Sequence, residues 1–92
     1  MSNDEILKIL KTDLQISVSA YDEYLESLID FGRAAIEKEG ISLTESTEDG
    51  MLVEMYAAFL YRKRREENCA MPRMLRYALN NRLFSQKVKE EA

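Results

Sequence analysis

Histidine is absent from this sequence of 92 residues, and cysteine occurs once, at Cys69. Without histidine the chain lacks the commonest general base and metal ligand. Cys69 therefore has no imidazole to activate it and no second thiol with which to share a metal, so neither a thiol nucleophile nor a zinc site is supported. A lone cysteine forms no internal disulfide, which fits a reducing compartment. The three glycines, at 32, 40 and 50, are too scattered for a phosphate-cradling loop. The single proline and the few glycines also argue for long regular elements rather than many turns. Carboxylate pairs occur at Asp22–Glu23 and Glu48–Asp49, but both fall at expected helix starts, where capping and solubility explain them. The sequence is read as a non-enzyme, with no cofactor and no metal.

Long hydrophobic runs are missing too. The longest, MLVEMYAAFLY at 51–61, is interrupted by Glu54 and falls short of the roughly 20 residues that cross a bilayer. The opening MSNDEILKILK is charged throughout and does not resemble a signal peptide. A cytoplasmic protein without a membrane role is expected. The hydrophobic content of 46% is normal for a globular chain and too high for a disordered one. The length suits one domain spanning residues 1–92.

The net charge of −4 is unevenly spread. Residues 1–55 hold 13 Asp or Glu against 4 Lys or Arg, a charge of −9. Residues 56–92 hold 9 Lys or Arg against 4 Glu, a charge of +5. Either the two halves neutralise each other within one fold, or they attract head to tail between copies.

Hydrophobic periodicity predicts an all-α fold, a small bundle of about four helices with a long central third helix. Ser2 and Glu5 have capping-box spacing ahead of Ile6, Leu7, Leu10 and Leu14, which places a first helix at about 3–14. QISVS at 15–19 breaks the pattern and is open between loop and strand. Ser19 is the expected cap of a second helix at about 20–39, and Gly40 its stop signal. Gly32 lies inside that helix, either to admit a close neighbour or as a tolerated weak position. Thr47 is the expected cap of the third helix, at about 48–67. That helix is apolar almost all round, which calls for burial on several sides, by a second subunit or by a compact bundle. Pro72 suits the first turn of a fourth helix at about 72–84, whose apolar side is Leu75, Ala78, Leu79 and Leu83. Residues 85–92 are expected to form a flexible tail.

RKRREE at 62–67 is the most conspicuous stretch. As the end of the third helix its cations complement the helix dipole, and Arg62 with Glu66 and Lys63 with Glu67 have i, i+4 spacing. The other reading is a grip on nucleic acid, with the third and fourth helices mimicking a helix-turn-helix, Arg73, Arg76 and Arg82 facing DNA, and Arg62 to Arg65 on phosphates. Against it stands a sequence pI near 4.9, since duplex readers carry clearly basic faces.

YAAFLYRKRREENCAMPRMLRYALNNRLFSQ, at 56–86, resembles the small head–tail connector proteins of tailed phages, also described as DNA-packaging proteins of phages and prophages. YDEYLESLIDFGRAAIEKEGI, at 21–41, is similar to that family's early helix, so about three-quarters of the chain is covered. No single motif in it is catalytic; the order of elements and the ending MPRMLRYALNNRLFSQ carry the likeness. The resemblance implies a structural protein that assembles as a ring, a dodecamer in the virion, beneath the portal protein. It implies a second contact with a tail-completion or stopper protein, and DNA that passes through without being read. The implied places are the host cytoplasm during assembly and then the virion neck. The family pattern fixes no contact residues. On physical grounds the expected anchors at subunit or portal interfaces are Tyr56, Tyr61, Arg62, Arg65, Arg73, Arg76 and Phe84, since aromatic and arginine side chains dominate interface energetics. Two other readings stand beside this one: a small prophage DNA-binding regulator, and a helical adaptor or antitoxin-like protein acting on another protein.

Overall fold

The computed structural model describes residues 1–66 and 68–91. They form four helices, α1 (Asn3–Asp13), α2 (Asp22–Lys38), α3 (Thr47–Arg65) and α4 (Arg73–Glu91), with a short 3-10 turn at Ser19–Tyr21. The fold is all-α, as the periodicity predicts.

Helix ends follow local hydrogen-bond chemistry. At α1 the Ser2 side chain accepts the Glu5 N–H, and the Glu5 carboxylate accepts the Ser2 N–H, a full capping box. At the other end Gln15 adopts a left-handed φ of 59°. The Gln15 N–H then reaches the Thr12 carbonyl at 3.2 Å, and the Ile16 N–H the Lys11 carbonyl at 2.9 Å. This is a Schellman closure built without glycine, and it settles residues 15–18 as a loop rather than a strand. Ser19 does not cap α2: it opens the 3-10 turn, and Tyr21 takes the cap position with no side-chain bond. Asp22 instead binds Lys11 at 2.7 Å, tying α2 to α1. Gly40 ends α2 with φ 102°, a conformation that L side chains rarely adopt.

The cap of α3 is Ser46, one residue before the expected Thr47; its hydroxyl accepts the Asp49 N–H at 3.1 Å. Pro72 sits one position ahead of α4, where its missing N–H costs nothing, and its carbonyl accepts the Arg76 N–H at 3.1 Å. The segment expected as a tail continues α4 to Glu91. Its high charge does not oppose a helix, because Lys and Glu are good helix formers when packing does not decide.

The core joins Ile6 and Leu10 of α1, Leu25, Ile29 and Ile36 of α2, Val53, Ala57 and Ala58 of α3, and Leu75 and Leu79 of α4. Each fully buried Leu or Ile contributes roughly 1.5–3 kcal/mol as an upper figure. α3 packs against α1, α2 and α4. One small chain therefore covers α3 by itself: Met51 alone of its large apolar side chains is exposed. The second-subunit explanation of its composition is not needed. The three neighbours suffice because α3 alternates bulk with Ala57 and Ala58, which let them approach closely.

Gly32 is such an approach. A Cβ there would lie 3.6 Å from the Ala57 nitrogen and from Tyr56 Cβ, and 3.7 Å from the Val53 carbonyl oxygen. One methyl fits at ordinary contact and anything larger does not. Gly32→Ala is expected to be neutral or to stabilise by up to about 1 kcal/mol through helix propensity. Gly32→Leu should cost about 1–3 kcal/mol by overpacking. Chemical denaturation of both variants checks the ordering.

Candidate functional site

The basic run at the end of α3 lies against its own chain. Arg62 Nη2 is 3.5 Å from Asp13 of α1. Lys63 Nζ stands 5.8 Å over the Phe59 ring, Arg64 5.2 Å over Tyr24, and Arg65 5.5 Å over Tyr61. Arg65 also donates to the Tyr61 hydroxyl at 2.8 Å. Tyr24 and Tyr61 in turn pack with ring centroids 6.4 Å apart. The expected Arg62–Glu66 pairing is replaced by the Asp13 contact, and the Lys63–Glu67 pairing lies outside the described residues. The four cations remain exposed, and Lys63, Arg64 and Arg65 rest over rings while still reaching water. Tyr21, Tyr24, Tyr61, Arg64 and Arg65 line an open hollow of about 450 Å³ here. Its ring-and-cation lining suits a protein contact.

The expected anchors divide among three places. Tyr61, Arg62 and Arg65 belong to this corner. Tyr56 and Arg76 are only partly exposed and make contacts within the chain. Tyr56 is half-buried with its ring edge-on to Phe59, centroids 6.0 Å apart. Arg76 makes a two-pronged ion pair with Glu39, fastening α4 to the end of α2. Both side chains are thus partly engaged within the chain, while the Arg76 side chain keeps 40% of its surface exposed. Arg73 and Phe84 are exposed on α4, Phe84 by 69%.

Phe84 is not alone. Met74 and Tyr77 are 76% and 60% exposed, and Val88 is half exposed. These three were not anticipated. Their positions, with Asn81, follow steps of three and four along α4, so the signal was present. The apolar side expected for this helix was the opposite one, and only Val88 lies beyond its expected end at 84. Arg82, offered above as a DNA contact, is committed to Asp49: Nε to Oδ1 is 2.7 Å and Nη2 to Oδ2 is 3.1 Å. Burial works against ionisation of Asp49, but the hydrogen bonds from Arg82 and Thr44 outweigh it and hold the carboxyl below the ordinary Asp value.

Glu54, which interrupts the apolar run, is 3% exposed with Oε1 unpartnered. Burial, then a hydrogen bond shared with Asp13 and the charge of that neighbour, push its pKa up to about 7, with Arg62 acting in the other direction. Among the described residues no group of three or more His, Cys, Asp or Glu is placed to hold a metal ion. Among the same residues no helix is long and apolar enough to cross a membrane. Comparison with protein-family models, curated proteins and solved structures matches nothing to this chain.

Proposed function

We propose that this chain is a structural protein of a phage neck, which assembles as a ring under the portal and connects the DNA-filled head to the tail. The observation that carries the proposal is the large apolar surface left on α4 after the core is closed. Exposed side chains of that size on a small chain mark a contact with another protein. The likeness of residues 56–86 to head–tail connectors supplies the identity of that protein: the portal, with a tail-completion protein on the other side.

Charge supports a ring. The exposed end of α3 holds Arg64 and Arg65, while the exposed side of α2 holds Glu23, Glu26, Asp30 and Glu37. A basic end meeting the acidic side of the next copy is a head-to-tail contact, and such contacts close into rings when the rotation permits. Acidic surface facing a channel would repel phosphates and let DNA slide. The duplex-reading alternative is poorly supported, since Arg76 and Arg82 are occupied by Glu39 and Asp49.

The test is native mass spectrometry of the purified chain mixed with the portal protein of the same phage element. One copy per portal subunit is the expected result; no complex at micromolar concentration overturns the proposal. Arg65→Glu combined with Arg73→Glu should weaken that complex at least tenfold and lower the thermal midpoint by only a few degrees (about 1 kcal/mol, from the lost Tyr61 contact and the helix-end charge), because both side chains are exposed and neither is in an ion pair among the described residues. Arg62 is left intact in this test, since reversing its charge beside Asp13 and Glu54 would disturb the fold.

A further inference from the structure

The exposed residues of α4 are ordered. Met74, Tyr77, Asn81, Phe84 and Val88 are separated by three, four, three and four residues. That is the a/d spacing of a coiled-coil seam, with Met74, Asn81 and Val88 at a and Tyr77 and Phe84 at d. At 3.6 residues per turn the seam faces away from Leu75 and Leu79, which are buried in the bundle. α4 thus has two faces, one serving its own core and one laid out for another helix.

We infer that the free chain pairs with a second copy of itself through α4, the two helices side by side and parallel about a two-fold axis. The inference rests on the reading of α4 as a contact surface but not on the portal. Asn81 selects the arrangement. In a parallel pair, a meets a and d meets d, so Asn81 faces Asn81 of the second copy and the two amides bond to each other. In an antiparallel pair a meets d, so Asn81 would face Phe84 or Tyr77 and lose the amide-to-amide pairing, which favours the parallel arrangement. Flanking charge agrees. In the parallel register Arg73 falls opposite Ala78 and Asn80 opposite Ser85, so no like charges meet at these positions. The acidic side of α2 is a poor alternative cover, because Glu23, Glu26, Asp30 and Glu37 would lose water beneath apolar side chains.

The exposed parts of two such stripes amount to roughly 1,000 Å² across the pair, taking about 150–250 Å² for a whole aromatic side chain. That is near the lower limit of specific interfaces. An interface this small is expected to be weak, on the order of micromolar, and a two-fold contact closes at two copies. It describes the chain before it docks: the second copy covers the stripe until another surface takes its place.

Sedimentation velocity from 1 to 200 µM tests this, with native mass spectrometry of the portal mixture alongside. The wild-type chain is expected to pass from monomer to dimer over that range. Phe84→Glu, at a solvent-exposed position, should keep its helicity and raise the dissociation constant about 100-fold or more. Asn81→Cys in a Cys69→Ser background should form a disulfide-linked dimer on mild oxidation. A wild-type chain monomeric at 200 µM overturns the inference, as does a dimer indifferent to Phe84→Glu, and absence of the cross-link overturns the parallel arrangement. A monomer that still binds portal would sink the pairing and leave the neck reading standing; a dimer that ignores portal would do the reverse.

Discussion

Arg82→Met is expected to destabilise the chain by about 3–5 kcal/mol, the usual effect of removing one partner from a buried ion pair. For a domain of this size that lowers the thermal midpoint by about 15 °C or more. Asp49 is 2% exposed and accepts from Arg82 and from the Thr44 N–H and hydroxyl, at 2.8 and 2.9 Å. Arg82 also donates to the Ser42 carbonyl at 2.8 Å. Without the guanidinium, a buried carboxylate keeps only its neutral donors. Asp49→Asn combined with Arg82→Met should recover part of the loss, since no unpaired charge remains. Urea unfolding at pH 7 gives the comparison, and a single-variant loss below 1 kcal/mol would show that the pair is not what anchors this end. The pH dependence has a definite sign. A carboxyl whose folded pKa is depressed adds stability above its unfolded value and loses it as pH falls through the lower, folded one. The wild-type chain should therefore lose this contribution only in acid, below the ordinary Asp range, and Arg82→Met should lack it.

Glu54 works in the opposite sense. Its pKa is raised to about 7, so the folded chain holds a proton there that the unfolded chain has released. Stability from this group is greatest below its unfolded value near 4.5 and is lost as pH rises through about 7. The loss by pH 8 is on the order of 2–3 kcal/mol. Glu54→Gln keeps the shape and removes the titration. It should be more stable than wild type by about 2 kcal/mol at pH 8, differ little at pH 5, and flatten the wild-type decline between them. Equal slopes for the two proteins across that window would falsify the assignment. The decline is local to the junction of α1 and α3, because Glu54 faces Asp13 and Arg62 there.

Much of the fold was legible because its signals are local. Ser2 with Glu5 and Gly40 each act through bonds a few residues away, so the start of one helix and the end of another could be read from spacing. Thr47 misled because Thr44, Ser46 and Thr47 cluster ahead of α3 and only the folded backbone decides which hydroxyl faces an open N–H, while Ser19 misled because α2 follows a 3-10 turn and has no side-chain cap. The cover of α3 stayed open between a second subunit and a compact bundle because composition counts apolar residues but not how closely Ala57, Ala58 and Gly32 let neighbours approach. The partners of the arginines were illegible for a related reason. An arginine in a sequence carries no mark of whether a carboxylate awaits it, and Arg76 and Arg82 are tied by Glu39 and Asp49, which stand 37 and 33 residues earlier. The stripe on α4 was visible as spacing, but only the opposite side of that helix, Leu75, Ala78, Leu79 and Leu83, was counted as apolar.

The clasp that holds α4 is made largely with a loop. Arg82 reaches the Ser42 carbonyl, and the Gln86 amide bonds both the Gly40 carbonyl, at 2.9 Å, and the Ser42 N–H, at 2.7 Å. Irregular chain between α2 and α3 therefore sets the tilt of the last helix. The outward stripe on that helix is aimed by residues 40–49, so a substitution there can redirect it without touching it. In mechanical terms α4 is a lever whose pivot lies in another part of the chain, and its bearing there is polar.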